Sequence, residues 1–256
     1  MITPMKTRYF IFISYKGTFY HGWQVQPNSV TVQKKLDEAL STILNEMIST
    51  TGAGRTDTGV HAKVFCAHFD SNSHDLLNKK NLVYRLNRFL PKDISVSRII
   101  KVDPDAHARF SAISRTYRYN ITRVKDPFWE EDSWFIHGKL DINAMNEVCG
   151  LLLNYNDFTS FSRLHTDTKT NLCKIFYAVW EQADERLVFT IKADRFLRNM
   201  VRALVGTMVE VGSGKVTLKH FEDIIQAKDR CRAGKSAPAK GLLLIDIEYP
   251  ETIFLN

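Results

Sequence analysis

The sequence predicts an α+β protein made of two similar lobes, in which helices and strands are segregated rather than strictly alternating. Apolar runs of strand length lie beside amphipathic segments of helical period in both halves of the chain. The 256 residues, of which 44% are hydrophobic, suffice for one large domain or two small ones. We expect the lobes at residues 1–108 and 109–256, joined near residues 105–115.

The first half predicts strands and helices in close succession. Residues 7–15, TRYFIFISY, indicate a buried strand because aromatic and β-branched residues follow one another. A loop at 16–30 carries aromatic residues that we expect to be exposed. Ser29 or Thr31 then caps an amphipathic helix at 31–48. Its apolar face comprises Leu36, Leu40, Ile43, Leu44, Met47 and Ile48. We further expect a strand at 63–69, a helix at 75–89 ending before Pro91, and a strand at 94–102.

The second half of the chain repeats this succession of strands and helices. Residues 115–124 predict a strand with Tyr117 and Tyr119 on one face and Arg118 on the other. A helix at 141–153 is expected to begin at Asp141, whose side chain suits an N-cap. The remaining expected elements are strands near 174–181 and 186–192, helices at 195–211 and 218–227, and a strand at 242–249.

Composition narrows the functional classes. The net charge of +7 indicates a polyanionic partner, although a solvated basic surface gives the same value. No apolar run reaches the length of a membrane helix, and no signal peptide is recognisable, so we expect a cytoplasmic protein. The four cysteines form no C-x-x-C pair, and His61 and His68 lack a third ligand at a suitable spacing. We therefore expect free thiols and no metal site.

The segment GAGRTDTGVHA at 52–62 is the most informative one. Its glycines predict an irregular loop that lets a large ligand approach Asp57, and Arg55 could grip a phosphate. An ordinary solvent-exposed turn remains an alternative. Gly59 is followed by Val60 rather than by Lys, which excludes a phosphate-binding P-loop. A glycosidase needs two facing carboxylates, so a single acid favours a nucleophilic or electrostatic role.

A second group of basic residues lies in the segment expected to be helical at 195–211. Spacings of i, i+3 and i+7 predict that Arg195, Arg198 and Arg202 form one basic stripe. The opposite, apolar face comprises Leu197, Met200, Val201, Leu204, Val205 and Met208. The stripe is either a solvated surface or a site for phosphates or a carboxylate, and one arginine could keep Asp57 ionised.

Basic and aromatic residues also alternate in the strand at 115–124. Arg115 and Arg118 alternate with Tyr117 and Tyr119, a pattern that suits RNA because splayed bases stack on rings while arginines bind phosphates. A strand with packed tyrosines and solvated arginines is the alternative interpretation.

Several segments together resemble the TruA family of tRNA pseudouridine synthases over nearly the whole chain. The loop GRTDTGVHA resembles that family most specifically. The other matching segments are YHGWQVQ (20–26), HARFSA (107–112), RTYRY (115–119), NDFTSF (156–161), FLRNMVRALVG (196–206) and AKGLLLIDIEYP (239–250).

This resemblance implies isomerisation of uridine to pseudouridine at positions 38, 39 and 40 of the tRNA anticodon stem-loop, without cofactor or metal. It implies two α+β lobes whose sheets join into one central sheet, with helices on the outer face and a basic cleft between the lobes. It also implies a homodimer.

The resemblance assigns roles residue by residue. Asp57 matches the essential aspartate, and Arg55 matches the arginine that helps to flip the nucleotide. Tyr117 matches the tyrosine that stacks on the target base, Arg202 the arginine that pairs with the aspartate, and Leu244 an apolar residue of the uracil pocket. Arg115, Arg195 and Arg198 are further candidates for RNA binding. Thr58 departs from the alanine that many members carry.

Two other functions remain compatible with the residues. A catalytically silent RNA-binding protein could keep the same fold. A nucleosidase acting on small substrates would need a second acid near Asp57, which the sequence does not offer.

Overall fold

The structure is a computed structural model that describes residues 6–73, 75–76, 79, 81–163 and 170–255. Nine β-strands and five α-helices lie within these residues, and the strands pair in both antiparallel and parallel orientation, which confirms the α+β class. The chain divides into two compact units, residues 1–113 with 244–256 and residues 114–243. The last residues thus belong with the first unit, whereas the predicted division assigned them to the second lobe.

The first unit contains strands β1 to β4 and two helices. Its elements are β1 (Thr7–Tyr15), α1 (Val32–Leu44), β2 (Thr51–Gly52), β3 (His61–Ser71), α2 (Leu82–Phe89) and β4 (Ile94–Lys101). Strand β1 lies between β4 and β3 and is antiparallel to both. Strand β9 (Leu242–Glu248) follows on the other side of β3, and β2 pairs with β3 outside this order. Residues 9–13 of β1 are all buried, as the continuous apolar run predicted.

The final segment of the chain completes the core of the first unit. Phe10 on β1 makes edge-on ring contacts with Tyr249 at 5.1 Å and with Phe254 at 6.4 Å between centroids. The Tyr249 hydroxyl donates to the Ala108 carbonyl oxygen at 2.6 Å. Backbone bonds tie residues 253 and 255 to residues 103 and 101. The C-terminal segment therefore supplies both core rings and backbone partners to the N-terminal strands.

The second unit contains a separate set of strands and helices. Its elements are β5 (Ser114–Thr122), β6 (Trp134–Phe135), α3 (Ile142–Leu152), β7 (Ile175–Ala183), β8 (Arg186–Ala193), α4 (Met200–Gly212) and α5 (Leu218–Ala227). Strand β8 lies between β5 and β7 and is antiparallel to both, while β6 is parallel to β5. Trp180 stacks on Phe189 across β7 and β8 at 4.9 Å and donates its indole N–H to the Met208 sulfur of α4. These contacts join the sheet to the helices of this unit.

Helix ends differ from the predictions where a residue adopts a left-handed conformation. Helix α1 begins after Thr31, whose side chain accepts the Lys34 N–H as predicted. It ends at Leu44 rather than at residue 48, because Asn45 has φ 56° and ψ 41°. Met47 consequently lies off the helix and is exposed, so its assignment to the apolar face is wrong.

Other predicted elements agree more closely. Asp141 caps α3 by accepting the Ala144 N–H at 3.0 Å, and α5 has the predicted bounds. Helix α2 starts after Asn81, which is left-handed at φ 63°, and the predicted start at residue 75 falls in a stretch that is only partly described. The four cysteines are all free thiols, and three of them are buried. No helix in the described part of the chain has the length and apolarity required to span a membrane.

A half-buried carboxylate in the first unit makes the stability of that unit depend on pH. Asp37 on α1 accepts hydrogen bonds from the Thr50 N–H at 2.9 Å and the Thr50 hydroxyl at 2.6 Å. Burial raises the pKa of Asp37 from 3.8 to about 6, against the opposing effect of the Thr50 bonds. The folded state favours the protonated acid, so ionisation of Asp37 destabilises the protein. This loss of stability is absent below pH 3.8, grows as the pH rises, and is complete above pH 6.

We predict that Asp37→Asn stabilises the protein at neutral and alkaline pH, since an amide oxygen can accept the same bonds without a charge. The expected gain is on the order of 1–2 kcal/mol at pH 8, after allowance for partial solvent screening, and close to zero at pH 3.5. Urea denaturation of both proteins at the two pH values measures it. An equal difference at both values would contradict the prediction.

Candidate active site

Asp57 opens a tight turn between β2 and β3. The Val60 N–H donates to the Asp57 carbonyl oxygen at 3.1 Å, which closes a four-residue turn that we call the 57–60 turn. Gly59 adopts φ 78° at its third position, where a residue with a Cβ would be strained. Asp57 is half-buried and Thr58 is exposed. The predicted irregular loop is confirmed for residues 53–60, whereas its ends belong to β2 and β3.

A second turn docks on the first. The Tyr20 N–H donates to the Gly17 carbonyl oxygen at 3.0 Å, which defines the 17–20 turn. The Tyr20 carbonyl oxygen in turn accepts the Gly59 N–H at 3.4 Å. The Gly17 N–H donates to His61 Nδ1 at 2.9 Å. A Cβ on Gly17 would lie 2.0 Å from the Val60 carbonyl oxygen, so the two backbones can approach this closely only because residue 17 has no side chain.

The residue before Asp57 is held from several directions. The Trp23 N–H donates to the Thr56 carbonyl oxygen at 3.3 Å, and the Thr56 hydroxyl lies 2.9 Å from the Tyr15 hydroxyl. Gly22, at φ 82°, passes so close that a Cβ there would lie 2.3 Å from the Thr56 carbonyl oxygen. Thr56 is buried, and the backbone that presents Asp57 therefore has little freedom to move.

The aromatic residues of the 16–30 loop are mostly buried, which corrects the prediction that they are exposed. Tyr20 is 4% and Trp23 is 1% exposed, and only Phe19 among these three rings faces solvent, at 73%. Trp23 packs on Phe65 of β3 at 4.2 Å, while the Tyr20 hydroxyl donates to Asp93 at 2.7 Å. Burial and the adjacent carboxylate raise the pKa of Tyr20, so its hydroxyl remains a donor. These two rings anchor the loop to the sheet.

The second unit positions Tyr117 at the edge of its core. Tyr117 pairs with Ile191 across β5 and β8, and its ring meets the Phe196 ring edge-on at 5.1 Å and 89°. Tyr117 is half-buried, whereas Tyr119 is fully buried and donates its hydroxyl to the Pro238 carbonyl oxygen at 2.8 Å. Arg118 is exposed, as the alternation along the strand predicted.

Arg202 lies in the first turns of α4 and is fixed to a neighbouring segment. Its Nε donates to the Ala237 carbonyl oxygen at 2.7 Å, and the Ala237 N–H donates to the Arg202 carbonyl oxygen at 2.9 Å. Gly206, one turn further along, permits this approach because a Cβ there would lie 1.8 Å from the Lys235 carbonyl oxygen. The segment around residue 237 thereby orients the guanidinium group.

The predicted basic stripe on one helix is wrong. Helix α4 begins at Met200, because Asn199 adopts φ 67° and ψ 1°, so Arg195 and Arg198 precede it. The Arg195 N–H donates to the Asp194 carboxylate at 2.6 Å, and Arg115 donates to the Asp194 carbonyl oxygen at 2.8 Å. The Arg115 guanidinium and the Arg195 backbone thus both donate to Asp194, and of the three arginines only Arg202 lies on the helix. The six apolar residues predicted for the opposite face are all buried.

The candidate residues are distributed over both units. Arg55 and Asp57 share one loop of the first unit, where Arg55 is exposed, and Leu244 is buried in β9. The candidates of the second unit are Arg115, Tyr117, Arg195, Arg198 and Arg202. Sequence reasoning missed Gly17 and Gly22 as supports of the Asp57 loop, although two glycines between aromatic residues in YKGTFYHGW are a signal for close backbone approach.

Comparison with known proteins identifies the class. Residues 151–250, which include Arg195, Arg198, Arg202 and Leu244, match a family model described as tRNA pseudouridine synthase. The chain is 54% identical over 248 residues to tRNA pseudouridine synthase A of Bacteroides fragilis, a match covering 96% of this chain and 98% of that protein.

Further relatives carry the same name. The protein from Bacteroides thetaiotaomicron is 54% identical over 250 residues, which cover 96% of this chain and 92% of the relative. The one from Colwellia psychrerythraea is 40% identical over 252 residues, which cover 97% and 96% of the two chains. The chain therefore belongs to the tRNA pseudouridine synthase A family.

We predict that Gly17→Ala destabilises the first unit, because the added Cβ meets the Val60 backbone rather than a flexible side chain. The expected loss in the free energy of unfolding is about 1–3 kcal/mol. Gly150→Ala is the matched control, since a Cβ at that position on α3 has no neighbour within 4 Å. It is expected to leave stability unchanged or to raise it by up to about 1 kcal/mol. Urea denaturation measures both variants. Equal unfolding midpoints for Gly17→Ala and Gly150→Ala would contradict the prediction.

Proposed function

We propose that this chain converts uridine to pseudouridine at positions 38, 39 and 40 of the tRNA anticodon stem-loop, with Asp57 as the nucleophile. The observation that carries the proposal is the 57–60 turn, which bears the half-buried carboxylate of Asp57. Hydrogen bonds and close backbone contacts from residues 17–23 hold this turn in place. The 54% identity to tRNA pseudouridine synthase A of Bacteroides fragilis supports the same assignment. A nucleophilic step requires such rigid placement of one activated group.

The reaction requires only groups that the chain itself can supply. The bond between ribose C1′ and uracil N1 breaks, the uracil turns, and a bond forms between C1′ and C5. C5 loses a proton and N1 gains one, so the product is an isomer and no oxidant or reductant takes part. Asp57 supplies an electron pair either to uracil C6 or to C1′ and is regenerated at the end. We therefore propose catalysis without a metal or a redox cofactor.

The target uridine must leave the helical stack before the carboxylate can reach it. Flipping a nucleotide costs a few kcal/mol. Arg55 is exposed two residues before Asp57, where it can hold the phosphate of the flipped nucleotide. The edge-on contact with Phe196 fixes the ring plane of Tyr117, which suits stacking on the flipped base. Leu244 gives the uracil an apolar contact in this proposal.

We further propose that the Arg202 guanidinium pairs with the Asp57 carboxylate, since guanidinium and carboxylate groups form charge-assisted hydrogen bonds. The bond from Arg202 Nε to the Ala237 carbonyl oxygen orients the side chain for that role. In this arrangement the sheets of the two lobes join into one central sheet with the helices on the outer face. The basic cleft between the lobes binds tRNA, with Arg115, Arg195 and Arg198 contacting phosphates, and the protein acts as a homodimer.

The nucleophile is tested by Asp57→Asn with a tRNA transcript that carries uridine at positions 38–40 and tritium at uracil C5. We expect wild-type protein to release tritium to water and the variant to release none, while both bind tRNA. Counting the released tritium and measuring tRNA binding by filter retention separate chemistry from binding. Tight binding without release by the wild type would instead indicate a silent RNA-binding protein.

The role of Tyr117 is tested by two replacements. If the ring stacks on the base, Tyr117→Phe keeps most of the activity, whereas Tyr117→Ala loses roughly 10-fold or more in kcat/KM, because one base stack contributes about 1–3 kcal/mol. Tritium release under steady-state conditions measures both. A Phe variant as inactive as the Ala variant would show that the hydroxyl is needed, as for transfer of the C5 proton.

A further inference from the structure

Phe19 occupies the tip of the 17–20 turn. The bond from the Tyr20 N–H to the Gly17 carbonyl oxygen makes Thr18 and Phe19 the two central residues of the turn. The Phe19 side chain is 73% exposed, while the Tyr20 side chain beside it is 4% exposed. One ring of this pair therefore anchors the turn, and the other projects from it.

Neither turn formation nor core packing accounts for this ring. The central positions of turns favour Gly, Pro, Asn, Asp and Ser, which relieve strain or bond to the backbone, and phenylalanine does neither. Burial of a phenylalanine side chain would contribute roughly 1.5–3 kcal/mol, and Phe19 gains little of this. An exposed aromatic ring on a rigid support is typical of a surface that binds a ligand by stacking.

The support of Phe19 is the same one that positions Asp57. The Tyr20 carbonyl oxygen, one residue after Phe19, accepts the Gly59 N–H within the 57–60 turn. Gly17, two residues before Phe19, packs against the Val60 carbonyl oxygen. Both ends of the 17–20 turn thus rest on the 57–60 turn, so the backbone that carries Phe19 is tied to the turn that begins at Asp57.

The neighbouring surface suits a nucleic acid. Lys16 and His21, which flank the turn, are both exposed, and the chain carries a net charge of +7. Backbone bonds from the His21 N–H to the Val30 carbonyl oxygen and from Gln26 Nε2 to the His21 carbonyl oxygen order this side of the loop. A ring flanked by basic groups matches a base together with its phosphates.

We propose that Phe19 stacks on an unpaired base of the substrate RNA next to the flipped uridine, and so holds the RNA in register on the Asp57 loop. This inference rests on the proposed function. Since the neighbouring base does not itself react, the contact is equally strong in the ground state and in the transition state. It therefore tightens RNA binding without changing the rate of the bound complex.

The test uses single-turnover tritium release from C5-tritiated tRNA at increasing enzyme concentration. Phe19→Ala is compared with Phe19→Trp, which keeps a stacking ring, and with Phe128→Ala, which removes a ring that is 91% exposed in the second unit. We expect Phe19→Ala to raise the half-saturating concentration roughly 5- to 100-fold, from the 1–3 kcal/mol of one stack, with the same maximal rate. Phe19→Trp restores wild-type binding, and Phe128→Ala does not alter it.

Salt dependence distinguishes stacking from a phosphate contact. The phenyl ring displaces no counterion, so Phe19→Ala is expected to leave the slope of log K against log [KCl] unchanged, where K is the association constant for tRNA. Arg55→Ala removes a phosphate contact and is expected to reduce the magnitude of this negative slope by about 1. An unchanged half-saturating concentration for Phe19→Ala would overturn the proposal, as would failure of Phe19→Trp to restore binding.

A different result would show that the proposed function itself is wrong. If the wild type releases no tritium from any tRNA, the isomerase proposal fails, and the same variants are compared by fluorescence anisotropy with labelled tRNA. In that case weaker binding by Phe19→Ala, restored by Phe19→Trp, still supports the stacking contact, and equal binding by all variants refutes it.

Discussion

The candidate site depends on the contact between two β-turns whose backbones touch without intervening side chains. Gly17 and Gly22 bring one chain segment against the Val60 and Thr56 carbonyl oxygens, at distances that any Cβ would forbid. The bond between Gly59 and Tyr20 then fixes the two turns to each other. The position of Asp57 is consequently determined by backbone geometry and by the buried anchors Tyr20 and Trp23, which hold that geometry against the sheet. Such preorganisation avoids the entropy cost of ordering a flexible loop at the moment of reaction.

The sequence predicted the elements well where periodicity ends at a visible signal, and less well where it does not. Helix α5 begins after Thr217, whose hydroxyl accepts the His220 N–H at 3.1 Å, and its predicted bounds agree with the structure. Helices α1 and α4 differ because Asn45 and Asn199 adopt left-handed conformations that interrupt an apolar pattern which continues beyond them. Asparagine tolerates this conformation but does not require it, so composition alone does not reveal where the helix begins or ends.

The sequence identifies the candidate carboxylate of the site but not the residues that support it. Asp57 stands in a glycine-rich segment that the sequence singles out directly. Its supports come from residues far away along the chain, such as Tyr15, 41 residues before Thr56, and Gly17, 44 residues before His61. Pairings of this kind follow from the order of β1 and β3 in the sheet, which local pattern does not specify.

The C-terminal segment has a consequence for how the chain is made. Tyr249 and Phe254 pack around Phe10 in the first unit, yet they follow the whole second unit along the chain and are synthesised after it. The second unit is continuous in sequence, from residue 114 to residue 243. Synthesis proceeds from the N-terminus. The second unit can therefore complete its core while the first unit still lacks the residues from 244 onward. The unit that carries Asp57 is therefore begun before the second unit and completed only after it, so a chain cut after residue 243 lacks the rings that complete the first core.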